Sequence, residues 1–123
     1  MNRFSKVGSV ALFLLAGAMA GQVAQASALY FEKVQVKTSS EKTCLNFAAD
    51  VARNLGLSKV HRNLLEVAGE KQGVYISTTC VSRGAQPAMA VVMASGNDLA
   101  ATKQLAQMAA ARIKGIVCFD LPC

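Results

Sequence analysis

A chain of 123 residues with 13 basic and 7 acidic groups has room for one small domain with a modest core. Its net charge of +6 is scattered, with no run of like charge and no basic–aromatic interleaving, which argues against a nucleic-acid-binding surface. Beyond the amino terminus no apolar run approaches the ~20 residues a membrane span needs, and there is no repeat or low-complexity tract.

The first thirty residues have the three-part grammar of a secretory signal. Arg3 and Lys6 give a positive start, and Val10 to Ala20 is an apolar run without a charge. Gly21-Gln22 breaks that run ahead of Ala24-Gln25-Ala26, whose small residues suit cleavage before Ser27; Ala26-Ser27-Ala28 suits a cut before Leu29 nearly as well. The run is about half the length of a transmembrane helix, so residues 1–26 are expected to be removed rather than kept as a membrane anchor. No cysteine stands at the junction to carry a lipid. The expected mature domain, 27–123, loses two of the thirteen basic groups and keeps eleven against seven acidic, a net +4. Its destination is the periplasm or the outside of the cell.

Leu29 to Lys37 mixes β-branched and aromatic residues with charges at near-alternate positions and predicts a strand. Thr38-Ser39-Ser40-Glu41 has a capping-box pattern, which predicts a helix from about Ser40 to Leu55 closed by Gly56. Cys44, Phe47, Ala48, Val51 and Leu55 fall on one face of that helix. Three strands follow, Leu64–Gly69, Val74–Ser82 and Ala88–Ala94, joined by short turn-like stretches that imply an antiparallel meander. In the middle one Val74, Ile76 and Cys80 face one side, and Tyr75, Ser77 and Thr79 the other. Ala88–Ala94 is apolar on both faces, as in a central or covered strand. Asp98 to about Lys114 is a second helix, with a stripe of Leu105, Met108, Ala109 and Ile113 ended by Gly115, and Ile116–Phe119 can add an edge strand. The predicted fold is α+β: a two-layer sandwich of about four antiparallel strands with both helices on one face.

All four cysteines, Cys44, Cys80, Cys118 and Cys123, belong to the mature part, and an even count in an exported domain this small points to two disulfides. Three connectivities are possible. Cys44 on the inward helix face and Cys80 on the apolar strand face can meet across the layers, leaving Cys118 and Cys123 to close a short terminal loop. A zinc site is disfavoured, because the spacings are long or C-x4-C and His61 is the only histidine. No C-x-x-C, G-x-S-x-G or phosphate-binding loop is present, so no catalytic residue, metal ligand or cofactor site is assigned.

His61, beside Lys59 and Arg62, reads as an exposed residue of a connecting segment. A small hydrolase or lyase would have to use carboxylates around Glu66 or Asp120, which no spacing in the chain ties together. What remains is surface: Tyr75, Ser77 and Thr79, with one face of Ala88–Ala94, line a sheet face opposite the helices. Such a face suits another protein of the envelope or extracellular space, or a second copy of the chain. The expectation is a non-enzymatic binding module of inhibitor or immunity type.

Cys44 early in the first helix, Glu66-Val67-Ala68-Gly69, Thr79-Cys80-Val81 and Ile113-Lys114-Gly115-Ile116-Val117-Cys118-Phe119-Asp120 give the chain a resemblance to a family of small exported bacterial proteins, classed as a domain of unknown function. The resemblance covers most of the mature part. It implies export and this architecture, and carries no catalytic signature with it.

Overall fold

The computed structural model describes residues 27–118. The signal-like segment 1–26, Phe119, Asp120 and Cys123 lie outside the described residues. In chain order the elements are β1 (Ala28–Gln35), α1 (Glu41–Asn54), β2 (Ser58–Arg62), β3 (Glu66–Lys71), β4 (Val74–Arg83), β5 (Gln86–Gly96) and α2 (Leu99–Gly115). All five strands form one antiparallel sheet in the order β1-β5-β4-β3-β2. The two helices touch each other, and both pack on the same side of it. The α+β sandwich is therefore as expected, with five strands rather than four.

Local chemistry accounts for most of the element ends. Ser40 caps α1 by accepting from the Thr43 amide, while Thr38 Oγ1 accepts from Ser40 N, so the cap is one hydroxyl relay rather than a box closed by Glu41. Asp98 caps α2 through the amides of Ala100 and Ala101. At the other end of α1 the carbonyls of Leu55 and Asn54 accept from Lys71 Nζ (2.6 Å) and Arg112 Nη1 (3.3 Å), cations placed where the helix dipole is negative. β3 and β4 join through Gln72-Gly73, both at positive φ (50° and 76°). That is the signature of the type I′ turn, whose twist matches the strands it connects.

Three expectations need correction. Ser58–Arg62 is an edge strand, not a connection: it pairs with β3, with a register shift between Ser58 and His61 and positive φ at Lys59, so His61 sits on a strand while remaining exposed. Leu64 and Leu65 do not begin β3. Asn63 Oδ1 accepts from the amides of Leu65 and Glu66, and this Asx turn holds both leucines out in solvent, 88% and 67% exposed. Ile116–Cys118 forms no strand; its predicted last residue, Phe119, lies outside the described part.

The core lies between helices and sheet. α1 buries Cys44, Leu45, Phe47, Ala48, Val51 and Ala52, and α2 buries Thr102, Leu105, Ala106, Ala109, Ala110 and Ile113. Met108, expected in the α2 stripe, is at the margin and partly exposed. Facing α2 across the layer are Ala88, Ala90, Val92 and Ala94 of β5, so small residues meet small residues and the helix can lie close to the strands. Gly96 marks the tightest approach: a Cβ there would stand 2.8 Å from Thr102 Oγ1.

Candidate binding face

Cys44 and Cys80 are bonded across the layers, with Cα atoms 6.0 Å apart and 36 residues between them in sequence. The bond ties the first turn of α1 to the middle of β4, and both sulfurs are buried. Cys118 is also disulfide-bonded. The expected Cys118–Cys123 pairing includes a residue outside the described part.

The covered face leaves the opposite one open, and the strand register lays that face out in rows. The first row is Leu29 (β1), Ser95 (β5), Tyr75 (β4) and Glu70 (β3). Next come Phe31, Met93, Ser77 and Ala68; then Lys33, Val91, Thr79 and Glu66; then Gln35, Met89 and Val81. Side chains of paired residues share a face, so these rows are one continuous surface. Leu29 is 70% exposed and Phe31 60%, with Met93, Tyr75 and Val81 also exposed. Among the described residues no helix or strand covers them, and only the His61 ring lies against Tyr75. A shallow hollow of about 220 Å³ opens between Leu29, Tyr75, Ser77 and Met93.

Tyr75, Ser77 and Thr79 share one face of β4, as expected, in the middle of a larger open surface. Tyr75 is exposed, Thr79 half-buried, and Ser77 only 4% exposed because Glu66 and its neighbours cover it. Ser77 Oγ donates to Glu66 Oε2, while Glu66 Oε1 lies 3.9 Å from His61 Nε2. The His61 ring in turn stacks with Tyr75, centroids 6.4 Å apart. This cluster brings a serine, a carboxylate and an imidazole together in an order unsuited to nucleophilic catalysis. The carboxylate stands between hydroxyl and imidazole, whereas a triad needs the imidazole on the hydroxyl. Glu70 is engaged by Lys59 at 3.2 Å. Glu66 and Glu70 point to the same face but stand four residues apart on one strand, roughly 13 Å, too far to share a substrate atom. Asp120 lies outside the described residues.

Other depressions carry no converging acids. One of about 360 Å³ lies between Glu41, Lys42 and Leu45 of α1 and Arg62, Asn63 and Leu64 beside the β2–β3 turn. Another of about 240 Å³ runs between Lys71-Gln72 and Ala101, Gln104 and Met108 of α2. No group of three or more His, Cys, Asp or Glu residues among the described residues could hold a metal ion.

Leu29 and Phe31 of β1 and the Leu64-Leu65 turn were missed in the sequence. The alternation of Leu29, Phe31, Lys33 against Tyr30, Glu32, Val34 was visible, but the neighbour of β1 was not. That neighbour is β5, the strand farthest from β1 in sequence. Comparison with models of known families, with curated proteins and with solved structures found no match.

Proposed function

We propose that this is an exported, disulfide-stabilised protein-binding module acting through the uncovered face of its sheet. The observation that carries the reading is the contiguous apolar strip of Leu29, Phe31, Met93, Tyr75 and Val81 with no covering element. Soluble domains rarely leave neighbouring large apolar side chains in water unless something docks there. The Cys44–Cys80 bond fits an oxidising compartment, and no helix among the described residues is long and apolar enough to cross a membrane. The signal-like start and the resemblance to small exported proteins point the same way.

In its finer form the module is of inhibitor or immunity type, blocking another envelope or extracellular protein with this face or with a loop. The turn at Asn63-Leu64-Leu65 is the loop best suited, because its Asx bonds present two leucines in a fixed shape. Retention from envelope and culture-fluid extracts tests the reading. A protein, a second copy of the chain included, held by the immobilised wild type and lost with Phe31→Asp and Met93→Asp supports it; equal retention by variant and wild type, or none of either kind, overturns it. Intact-mass analysis of the exported protein should show a start at Ser27 or Leu29, and Met1 retained in a membrane fraction would refute export.

A further inference from the structure

We propose that the occupant of the open face is a second copy of the chain, packed sheet against sheet about a two-fold axis that runs along the strands between β5 and β4. The inference rests on the reading of this face as a docking surface and names its partner. Rotation about such an axis keeps each row at its own height and reverses its left-to-right order. β1 then lies over the partner's β3, and β5 over the partner's β4.

The register makes that reversal self-complementary in charge in its third row, while the first row sets Leu29 over the partner's Glu70, which Lys59 engages. In the row Lys33-Val91-Thr79-Glu66 a cation ends one side and a carboxylate the other, so Lys33 meets the partner's Glu66 and, by symmetry, Glu66 meets the partner's Lys33. Lys33 is exposed and has no ion-pair partner among the described residues. In the row above, Phe31 and Met93 lie over the partner's Ala68 and the partner's Ser77, which are small and already buried in their own chain, so the contact there is with the side chains around them. Tyr75 lies over the partner's Ser95, and Met89 over the partner's Val81. Aligned sheets pack about 10 Å apart, the distance that such interdigitating side chains fill. A shift of the axis by one strand would destroy the charge pairing.

Face packing is favoured over edge pairing because both sheet edges are defended. β2 carries Lys59, His61 and Arg62 and is broken by its register shift. On β1 Glu32 turns toward the helix layer, where its Oε2 is buried without a hydrogen-bond partner. Inward charges and irregular edges discourage strand addition. In the dimer β2 overhangs the partner's β1.

Sedimentation of the exported, purified protein over a dilution series, with far-UV circular dichroism as the control for folding, tests this. The wild type should dimerise. Phe31→Asp, at an exposed position, should be folded and monomeric. Lys33→Glu should weaken the dimer about tenfold, because it sets like charges opposite each other twice per dimer. The pair Lys33→Glu with Glu66→Lys should restore it. Should Glu66→Lys prevent folding through loss of the Ser77 contact, Phe31→Asp and Lys33→Glu decide alone. A wild type that is monomeric throughout overturns the inference, as does a dimer indifferent to Phe31→Asp and Lys33→Glu, or a folded double variant without rescue. Retention of another protein by a monomeric wild type, lost with Phe31→Asp, would leave the docking face standing and remove only the second copy.

Discussion

The two faces of the sheet are made by the same strands from side chains one residue apart, yet they belong to different kinds of surface. On the covered face Ile76, Cys80, Ala90, Val92 and Ala94 are almost fully buried against α1 and α2. On the open face Leu29, Phe31, Met93 and Val81 are as apolar and stand in water. The difference lies in the helices rather than in the strands: α1 and α2 together have apolar faces enough to cover one side only. In a two-layer sandwich the second face is normally polar, and the alternation apolar-in, polar-out is how an antiparallel sheet meets solvent. β5 departs from that rule by being apolar on both faces, and β1 follows it there with Leu29 and Phe31. The departure marks where function is to be sought.

The sharpest way to break the comparison is at the bond that fastens helix to sheet. Cys44→Ala with Cys80→Ala removes a cross-link between residues 36 apart, worth about 4 kcal/mol on the chain-entropy model. The thermal midpoint should fall by roughly 15–30 °C, since each kcal/mol moves a domain of this size by several degrees. Cys118→Ala with Cys123→Ala should cost far less if that pair closes a short loop. Peptide mapping without reduction is the prior check, and a Cys44–Cys118 or Cys80–Cys118 cross-link would contradict the fold.

Next in size is truncation on the covered face. Ile113 of α2 is 1% exposed, and Ile113→Ala should destabilise by about 2–5 kcal/mol in urea, through lost transfer energy and the cavity left behind. An effect below 1 kcal/mol would mean that α2 is only loosely docked.

Removal of the α2 cap should cost less again. Asp98→Ala frees the amides of Ala100 and Ala101 and should lower stability by about 1 kcal/mol, whereas Asp98→Ser should recover most of it.

The smallest effect is expected on the open face. Phe31→Ser removes a large side chain that touches mainly water in the single chain, so its unfolding free energy, measured at concentrations where the protein is monomeric, should change by no more than about 0.5 kcal/mol. A loss as large as that of Ile113→Ala would show that something in the same chain covers the face. Phe31→Ser and Ile113→Ala thus measure the two faces with one ruler.

Much of this was legible without coordinates wherever the information was local. The helical phase of Cys44 with Phe47, Ala48 and Val51, and the strand phase of Cys80 with Val74 and Ile76, each pointed inward, and two inward cysteines on packed layers are placed to bond. The cap at Asp98 and the turn residues Gln72-Gly73 likewise act through their nearest neighbours in the chain, and the Thr38–Glu41 stretch marked the start of α1 although Ser40, not a box closed by Glu41, caps it. Ser58–Arg62 failed the same test: it has one apolar residue, Val60, no alternation and no burial at any position. It is a strand because β3 offers it backbone partners, a property of the pairing and not of the segment. Leu64 and Leu65 have strand-like composition, but Asn63 draws their backbone into a turn, and a local side-chain bond overrides propensity there.

The sequence alone determined the types of the two helices and of β1, β3, β4 and β5 with their inward faces, because periodicity, capping and turn geometry are set within a few residues; it left Cys44–Cys80 as one of three possible connectivities, and the structure made the choice. Only the tertiary structure decided that β1 returns to lie against β5, that β2 completes the edge, and that Leu29, Phe31, Met93 and Tyr75 meet on one open surface. The first and last of these depend on contacts between segments far apart in the chain, as Phe31 and Met93 are, whereas β2 pairs with the nearby β3 through backbone bonds that its own side chains do not announce. No local pattern encodes which strand will be the neighbour, since any apolar edge of matching register could serve, and the choice falls to the packing of the whole sheet beneath its two helices.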